Sequence, residues 1–166
     1  LYDPIAVQPM RDELTDVGFE ELLTPEAVDG AVRETKGILF VVVNSVCGCA
    51  AGSARPAASL ALQHTRIPDR SVTVFAGQER DAVEHMRSYF AGAAPSSPAM
   101  AIFKDGTLEF MLHRHDIEGR SADEIAEDLR RYFDLLCTRQ GPSISREDFE
   151  KLSYERTCGS HIPRLN

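Results

Sequence analysis

The sequence lacks both a basic patch and a long apolar run. Its 18 lysines and arginines are scattered along 166 residues and are outnumbered by 26 aspartates and glutamates, which gives a net charge of −8. Nucleic-acid-binding surfaces concentrate lysine and arginine on one face, so this composition argues against a nucleic-acid partner. No apolar stretch approaches the roughly 18 residues that a membrane-spanning helix needs. We therefore expect neither nucleic acid nor membrane as a partner.

Several catalytic and targeting signatures are also missing. The sequence has no glycine-rich phosphate loop with its lysine and no paired-carboxylate pattern, which argues against nucleotide and glycoside chemistry and predicts no bound cofactor. The first residues, Leu1–Pro4, lack the charged-then-apolar layout of a signal peptide, so the expected location is the cytosol. Cysteine is scarce, at four residues. In a reducing compartment such cysteines are catalytic, metal-binding or buried rather than permanently disulfide-bonded.

The most informative feature that is present is the tripeptide Cys47-Gly48-Cys49. It follows Ile38–Val43, a run that is apolar at every position and is therefore typical of a strand covered on both faces. The two thiols consequently lie where a buried strand emerges and a helix begins. A disulfide between cysteines this close in sequence would close a tight ring, and strain makes a disulfide easier to reduce. The pair indicates a redox switch rather than a structural crosslink.

The remaining patterns predict an α/β fold with a central four-stranded mixed sheet and flanking helices. Two helices precede the first strand, and the Asp105-Gly106 pair between two apolar runs predicts a hairpin that closes the sheet. Thr24 is the predicted cap of the second helix, and Ser121 begins a capping-box pattern at the start of the last helix of the core. The core order is β-α-β-α-β-β-α, with strands near 38–43, 72–75, 99–103 and 108–112 and helices near 50–64, 81–90 and 122–136. We expect one domain over residues 1–137, followed by a C-terminal extension, 138–166, that is not an independent domain.

Several stretches of the chain together match one known family. They are Tyr2–Pro4, Val7–Arg11, Val42–Ala50, Ala54–Pro56, Ser96–Pro98 and Ile117–Ser121. On these stretches the chain resembles the bacilliredoxins, a thioredoxin-like family with Cys-Gly-Cys in place of Cys-x-x-Cys. The resemblance runs from about Tyr2 to about Leu136, and the predicted element order is the minimal thioredoxin-like arrangement. The resemblance implies a thiol–disulfide oxidoreductase that reduces mixed disulfides between client proteins and bacillithiol, with bacillithiol as a co-substrate.

Cys47 and Cys49 are the predicted catalytic residues. We expect Cys47 to be the more exposed thiol and the nucleophile, because unpaired amides and the dipole at a helix N-terminus favour a thiolate. Cys49 then resolves the mixed disulfide, or a second thiol arrives from solution. Gly48 places no side chain between the sulfurs, and its conformational freedom would let the turn adopt what ring closure requires.

Three further residues are predicted to contact substrate, and no residue is assigned to a metal. By resemblance, a cis peptide precedes Pro98, which faces the thiols, and the Ser97 backbone is available to an extended substrate. Arg55 either attracts the carboxylates of bacillithiol or sits on a solvated helix face.

Alternative interpretations remain open. Cys47 and Cys49 would also suit a general protein disulfide reductase or isomerase. A third interpretation is a CxC metal-binding module for a soft ion such as Cu(I) or Zn(II). Residues 113–116 contain two histidines and an arginine, which we interpret as a solvent-facing cluster. Cys137 and Cys158 have no assigned role, although Cys158 is a candidate for an additional resolving thiol. The client proteins, the regenerating reductant and the oligomeric state are not determined by the sequence.

Overall fold

The computed structural model describes residues 1–152 and residue 165. Its main sheet has five strands in the order β1-β4-β2-β5-β6, and a second sheet pairs β3 with β7. In chain order the elements are α1 Pro4–Thr15, β1 Glu20–Glu21, α2 Pro25–Glu34, β2 Ile38–Asn44, a π-helical turn Ala50–Ala54, α3 Arg55–Ala61, β3 Arg66–Ile67, β4 Arg70–Phe75, α4 Arg80–Ser88, β5 Ala99–Lys104, β6 Thr107–Leu112, α5 Arg114–Ile117, α6 Ala122–Leu136, β7 Arg139–Gln140 and α7 Arg146–Glu150.

The four predicted strands are neighbours in the main sheet, as β4, β2, β5 and the edge strand β6. Strand β2 is buried at every position, as its uninterrupted apolar sequence predicts, and pairs parallel with β4 and antiparallel with β5. The β5–β6 hairpin turns at Asp105-Gly106, where both residues have positive φ. The four predicted strands thus lie in the order β4-β2-β5-β6, with β2 parallel to β4 and antiparallel to β5. This arrangement is the predicted thioredoxin-like fold.

Helices cover both faces of the sheet because successive side chains of β2 point to opposite sides. Ile38, Phe40 and Val42 pack in one cluster with α3 and α6, whereas Leu39, Val41 and Val43 pack in the other with α2 and α4. The capping patterns predicted for α2 and α6 are present at Thr24 and Ser121. The sheet is therefore the middle of three layers. Its faces are covered, so a site has to lie at an edge, such as the one where the parallel strands β2 and β4 end.

The structure adds short elements that were not predicted from the sequence, namely the two-residue strands β1, β3 and β7 and the four-residue helix α5. The two-residue strand β1 pairs parallel with β4 and makes a fifth, edge strand beyond the expected four. Strand β7, at the start of the extension, pairs with β3 and forms the small second sheet. Two-residue strands have too few positions for an alternating pattern, so periodicity could not predict them.

The described part of the extension packs against the domain. The Gly141 amide donates to the Thr65 carbonyl at 2.8 Å and the Ser143 amide donates to the Leu62 carbonyl at 2.9 Å. The partly buried Phe149 also packs against the core cluster that contains α3 and α6. Cys158, the candidate for an additional resolving thiol, lies outside the described residues. Among the helices of the described ranges, none combines the length and apolarity required to cross a bilayer.

Candidate active site

The thiols lie at the carboxyl edge of the sheet, where β2 ends at Asn44. Val43 pairs with Ala99 at the start of the antiparallel strand β5, so Pro98 lies at the same edge of the sheet. The Ser97–Pro98 peptide is cis, as expected, and Pro98 is buried while Ser97 is half-buried. The sheet register therefore brings together two segments that are 50 residues apart in sequence.

The two sulfur atoms contact each other without being bonded. The Sγ atoms of Cys47 and Cys49 are 2.8 Å apart, and both residues are free cysteines. Both are half-buried, so the greater exposure expected for Cys47 is not what distinguishes them. The helical segment begins at Gly48 and passes through a π-helical turn before α3, a local irregularity that is frequent at functional sites.

Acidity separates the two thiols. Burial disfavours the Cys47 thiolate, but hydrogen bonds from Cys49, from Ser45 and from the Ala50 backbone outweigh it, and the pKa of Cys47 is lowered. At Cys49, burial comes first, and the hydrogen bond and negative charge of Cys47 add to it, so the pKa rises to about 11. One thiol of the pair is thus prepared to be a thiolate and the other a proton donor.

Gly48 leaves the surface over the sulfurs open. It is exposed, and a Cβ built on it would meet no atom within 4 Å. Its φ lies outside the left-handed region, so in the thiol state its backbone conformation does not require glycine. What glycine provides here is an uncovered approach between Cys47 and Cys49.

The substrate-binding role expected for Arg55 is wrong, because the side chain is inside the protein. It is 0% exposed and its Nε donates to the buried carboxylate of Glu13 on α1. Its Nη1 donates to the Ser45 carbonyl at 2.7 Å and to the Asn44 side chain at 3.1 Å. A small thiol outside the protein cannot reach this guanidinium. The alternative of a solvated helix face is excluded equally.

A different arginine, which the sequence analysis treated as merely solvent-facing, lies near the thiols. Arg114 begins α5 and is exposed, and its positive charge favours the thiolate of both Cys47 and Cys49. Its Nη1 donates to the Ser97 carbonyl at 3.4 Å. The sequence gives one usable signal for it, which is its position two residues after the last strand of the main sheet.

Cys137 is a buried thiol at the end of α6. Burial, followed by the charges of Asp69 and Asp134, raises its pKa to about 12, so we expect this thiol to be unreactive.

Within residues 1–152 and 165, no group of three or more His, Cys, Asp or Glu side chains is arranged to hold a metal ion.

Residues 2–137 match a protein-family model described as disulphide isomerase. Bacilliredoxin Acid345_1880 of Koribacter versatilis is 51% identical over 137 residues, which cover 82% of this chain and 94% of that protein. Bacilliredoxin GK2368 of Geobacillus kaustophilus is also 51% identical over 137 residues, covering 82% and 93%. A bacilliredoxin of Bacillus cereus is 52% identical over 132 residues, covering 79% and 92%.

Similarity to solved structures is weaker. The thioredoxin-like domain of Arabidopsis NCP is 18% identical and superposes with a TM-score of 0.49, covering 82% of this chain and 86% of that one. The fold assignment accordingly rests on the strand order and connections of the chain itself.

Proposed function

This chain belongs to the bacilliredoxin family of thiol–disulfide oxidoreductases, and on that premise we propose that it removes bacillithiol from proteins by attack of Cys47. The observation that carries the proposal is the contact between two free thiols whose pKa values are shifted in opposite directions. The identity of the substrate is inferred from the family, because the thiol pair by itself indicates only disulfide exchange. The free thiols require a reducing compartment, which the cytosol supplies.

In the first step, the Cys47 thiolate attacks the bacillithiol sulfur of the mixed disulfide. The bond between the protein sulfur and bacillithiol breaks as the bond between Cys47 and bacillithiol forms, and the client leaves as a thiolate that takes a proton from solvent. A thiolate is the reactive form of cysteine, so the lowered pKa of Cys47 increases the fraction ready to attack near neutral pH. The exposed Gly48 leaves this approach unobstructed.

In the second step, Cys49 gives up its proton to solvent and attacks the Cys47 sulfur. The bond between Cys47 and bacillithiol breaks as the Cys47–Cys49 disulfide forms, and bacillithiol leaves as a thiolate that takes up a proton from solvent. Apart from burial, the pKa of Cys49 is raised by its hydrogen bond to Cys47 and by the charge of Cys47, and both of these effects end once Cys47 is in a mixed disulfide. The first step therefore activates the second. Alternatively, a thiolate from solution attacks the bacillithiol sulfur, which releases Cys47 as its thiolate and carries bacillithiol away as a mixed disulfide with the incoming thiol. The tight ring of a Cys-Gly-Cys disulfide favours this second route.

The test is intact-mass spectrometry of the reduced protein mixed with a bacillithiolated model protein. We expect Cys49→Ser to accumulate one adduct of bacillithiol mass on Cys47 while the model protein is released as a free thiol. Cys47→Ser should show neither transfer nor release. Full activity of Cys47→Ser would refute the assignment of the nucleophile.

The same assay separates the alternatives. If the wild type reduces a protein with an ordinary disulfide but leaves the bacillithiol adduct intact, the chain is a general protein disulfide reductase or isomerase, in keeping with the description of its family model. Purified protein that retains stoichiometric Zn(II) or Cu(I) after dialysis would instead support the CxC metal-binding module.

A further inference from the structure

Arg114 is tied to the cis-proline loop by two hydrogen bonds. Its backbone amide donates to the Ser96 hydroxyl at 3.3 Å, and its Nη1 donates to the Ser97 carbonyl at 3.4 Å. The side chain nevertheless remains 45% exposed. A guanidinium is thus fixed at the surface of the loop that carries Pro98, at the same edge of the sheet as the thiols.

The charge of Arg114 acts on both sulfurs. It lowers the pKa of Cys47 and opposes the rise in the pKa of Cys49, and the thiols in turn favour the charged form of Arg114. The position of this cation is fixed by its hydrogen bond to the Ser97 carbonyl, which holds it beside Pro98 at the same edge of the sheet as the thiols. In a chain with a net charge of −8, a cation at this position provides local attraction for an anionic substrate.

Arg114 already holds a carboxylate, that of Glu118 one helical turn further on. The Nε of Arg114 donates to Oε1 of Glu118 at 2.6 Å, and the two side chains are 45% and 51% exposed. Exposed ion pairs of this type contribute only about 0–1 kcal/mol, so an incoming carboxylate can replace Glu118 at little cost. A planar guanidinium also binds a carboxylate through two parallel hydrogen bonds, which gives it a defined orientation.

We propose that Arg114 docks a carboxylate of the small thiol carried on the client protein, and that Glu118 is the resting counter-ion which this carboxylate displaces. The inference rests on the proposed function and deepens it by naming the side chain that recognises the adduct and the counter-ion that it must exchange. Arg114 thereby takes the recognition role that the sequence analysis considered for the buried Arg55. Docking at the cis-proline loop orients the adduct sulfur toward Cys47.

The test compares two mixed disulfides on one model protein with a single cysteine. One carries mercaptosuccinate, which has two carboxylates, and the other carries 2-mercaptoethanol, which has none. The measured quantity is the ratio of kcat/KM for the acidic adduct to kcat/KM for the neutral adduct. Loss of the Arg114 charge should slow both reactions by raising the pKa of Cys47, so only the ratio reports docking.

We expect Arg114→Gln to lower this ratio about tenfold, which corresponds to about 1.4 kcal/mol. Arg114→Lys keeps the charge but loses the planar guanidinium that binds a carboxylate through two hydrogen bonds, so it should lower the ratio less than Arg114→Gln does. Glu118→Gln removes the competing carboxylate and should raise the ratio. An unchanged ratio in Arg114→Gln, or a ratio that falls in Glu118→Gln, would overturn the proposal.

The matched control is Arg146→Gln. Arg146 forms the same i, i+4 pair with Glu150 on α7, at 3.0 Å, and should affect neither rate. Failure of the proposed function gives a different result: the bacillithiol adduct would be inert while the mercaptosuccinate adduct is still processed in an Arg114-dependent way.

Discussion

At the scale of single residues, the division of labour between Cys47 and Cys49 is a matter of hydrogen bonds. Both thiols are half-buried, and burial raises the pKa of each. Cys47 overcomes that effect because the Cys49 thiol, Ser45 and the Ala50 backbone all stabilise its thiolate. The assignment of the nucleophile therefore depends on which sulfur accepts these hydrogen bonds, not on which sulfur is more accessible.

This arrangement predicts how the alkylation of Cys47 depends on pH. With iodoacetamide, the rate for wild-type Cys47 should reach half of its maximum below the ordinary thiol pKa, because only the thiolate reacts. Cys49→Ala removes a donor and should move this midpoint to higher pH. Cys49→Ser keeps a hydroxyl that can donate and should move it less.

Mass mapping of the Cys47 peptide identifies the reacting thiol in this titration. Cys137 is buried with its pKa raised to about 12, so it should stay unlabelled in the folded protein and serves as an internal reference. Identical midpoints in the wild type and Cys49→Ala would contradict the role given to the Cys49 thiol.

At the scale of elements, helix α1 supports the active-site loop, which is the segment 45–49 that follows β2 and carries the two thiols. Glu13 of α1 holds the Arg55 guanidinium, which in turn holds the Ser45 carbonyl just before the thiols. The Asn44 side chain completes the contact, since its Nδ2 donates to the Met10 carbonyl at 3.1 Å while its Oδ1 accepts from the Ser45 amide. The N-terminal helix is thus a structural part of the site.

Breaking this support should cost stability. Arg55→Met removes the buried guanidinium to which the Glu13 carboxylate is paired, and we expect a loss of about 3–5 kcal/mol in the free energy of unfolding, measured by urea titration. The double variant Glu13→Gln/Arg55→Met removes both charges and should recover part of that loss.

The exposed pair of Arg146 and Glu150 again provides a control, because Arg146→Met should change stability by no more than about 0.5 kcal/mol. If Arg55→Met were as mild as this control, the proposed support of the loop by α1 would be excluded.

At the scale of the whole molecule, the described part of the extension is attached to the domain through a tight backbone contact. A Cβ at Gly141 would lie 2.0 Å from the His64 carbonyl oxygen, so only glycine fits against that segment. The two backbone hydrogen bonds from Gly141 and Ser143 depend on this approach. That the extension is not an independent domain remains our prediction, and this contact supports it.

Gly141→Ala should detach the extension. Losing two backbone hydrogen bonds predicts a destabilisation of about 2 kcal/mol. Labelling of Cys137 should also become detectable, because this residue directly precedes the extension. Gly30→Ala is the control, since its Cβ would meet only a flexible Glu34 oxygen at 3.8 Å within α2 and should stabilise by about 0.5–1 kcal/mol. Equal stability of Gly141→Ala and the wild type would show that the contact is dispensable.

Features that local patterns encode could be predicted from the amino-acid sequence. The apolar run Ile38–Val43 predicted a central strand, Asp105-Gly106 predicted the hairpin, and the Ser121 cap predicted the start of α6, because each depends on neighbours within a few residues. The position of Cys47-Gly48-Cys49 at the end of a buried strand placed the candidate site in the same way.

The polar groups that surround the thiols could not be predicted in this way, because long-range packing brings them there. Arg55 and Arg114 are both arginines near a predicted element end, yet one is fully buried against Glu13 and the other is exposed near the sulfurs. Their positions depend on contacts with residues 42 positions away for Arg55 and 17 for Arg114, which no local pattern records. Strand pairing and helix packing choose these neighbours, and the neighbours set the charge and acidity of the site.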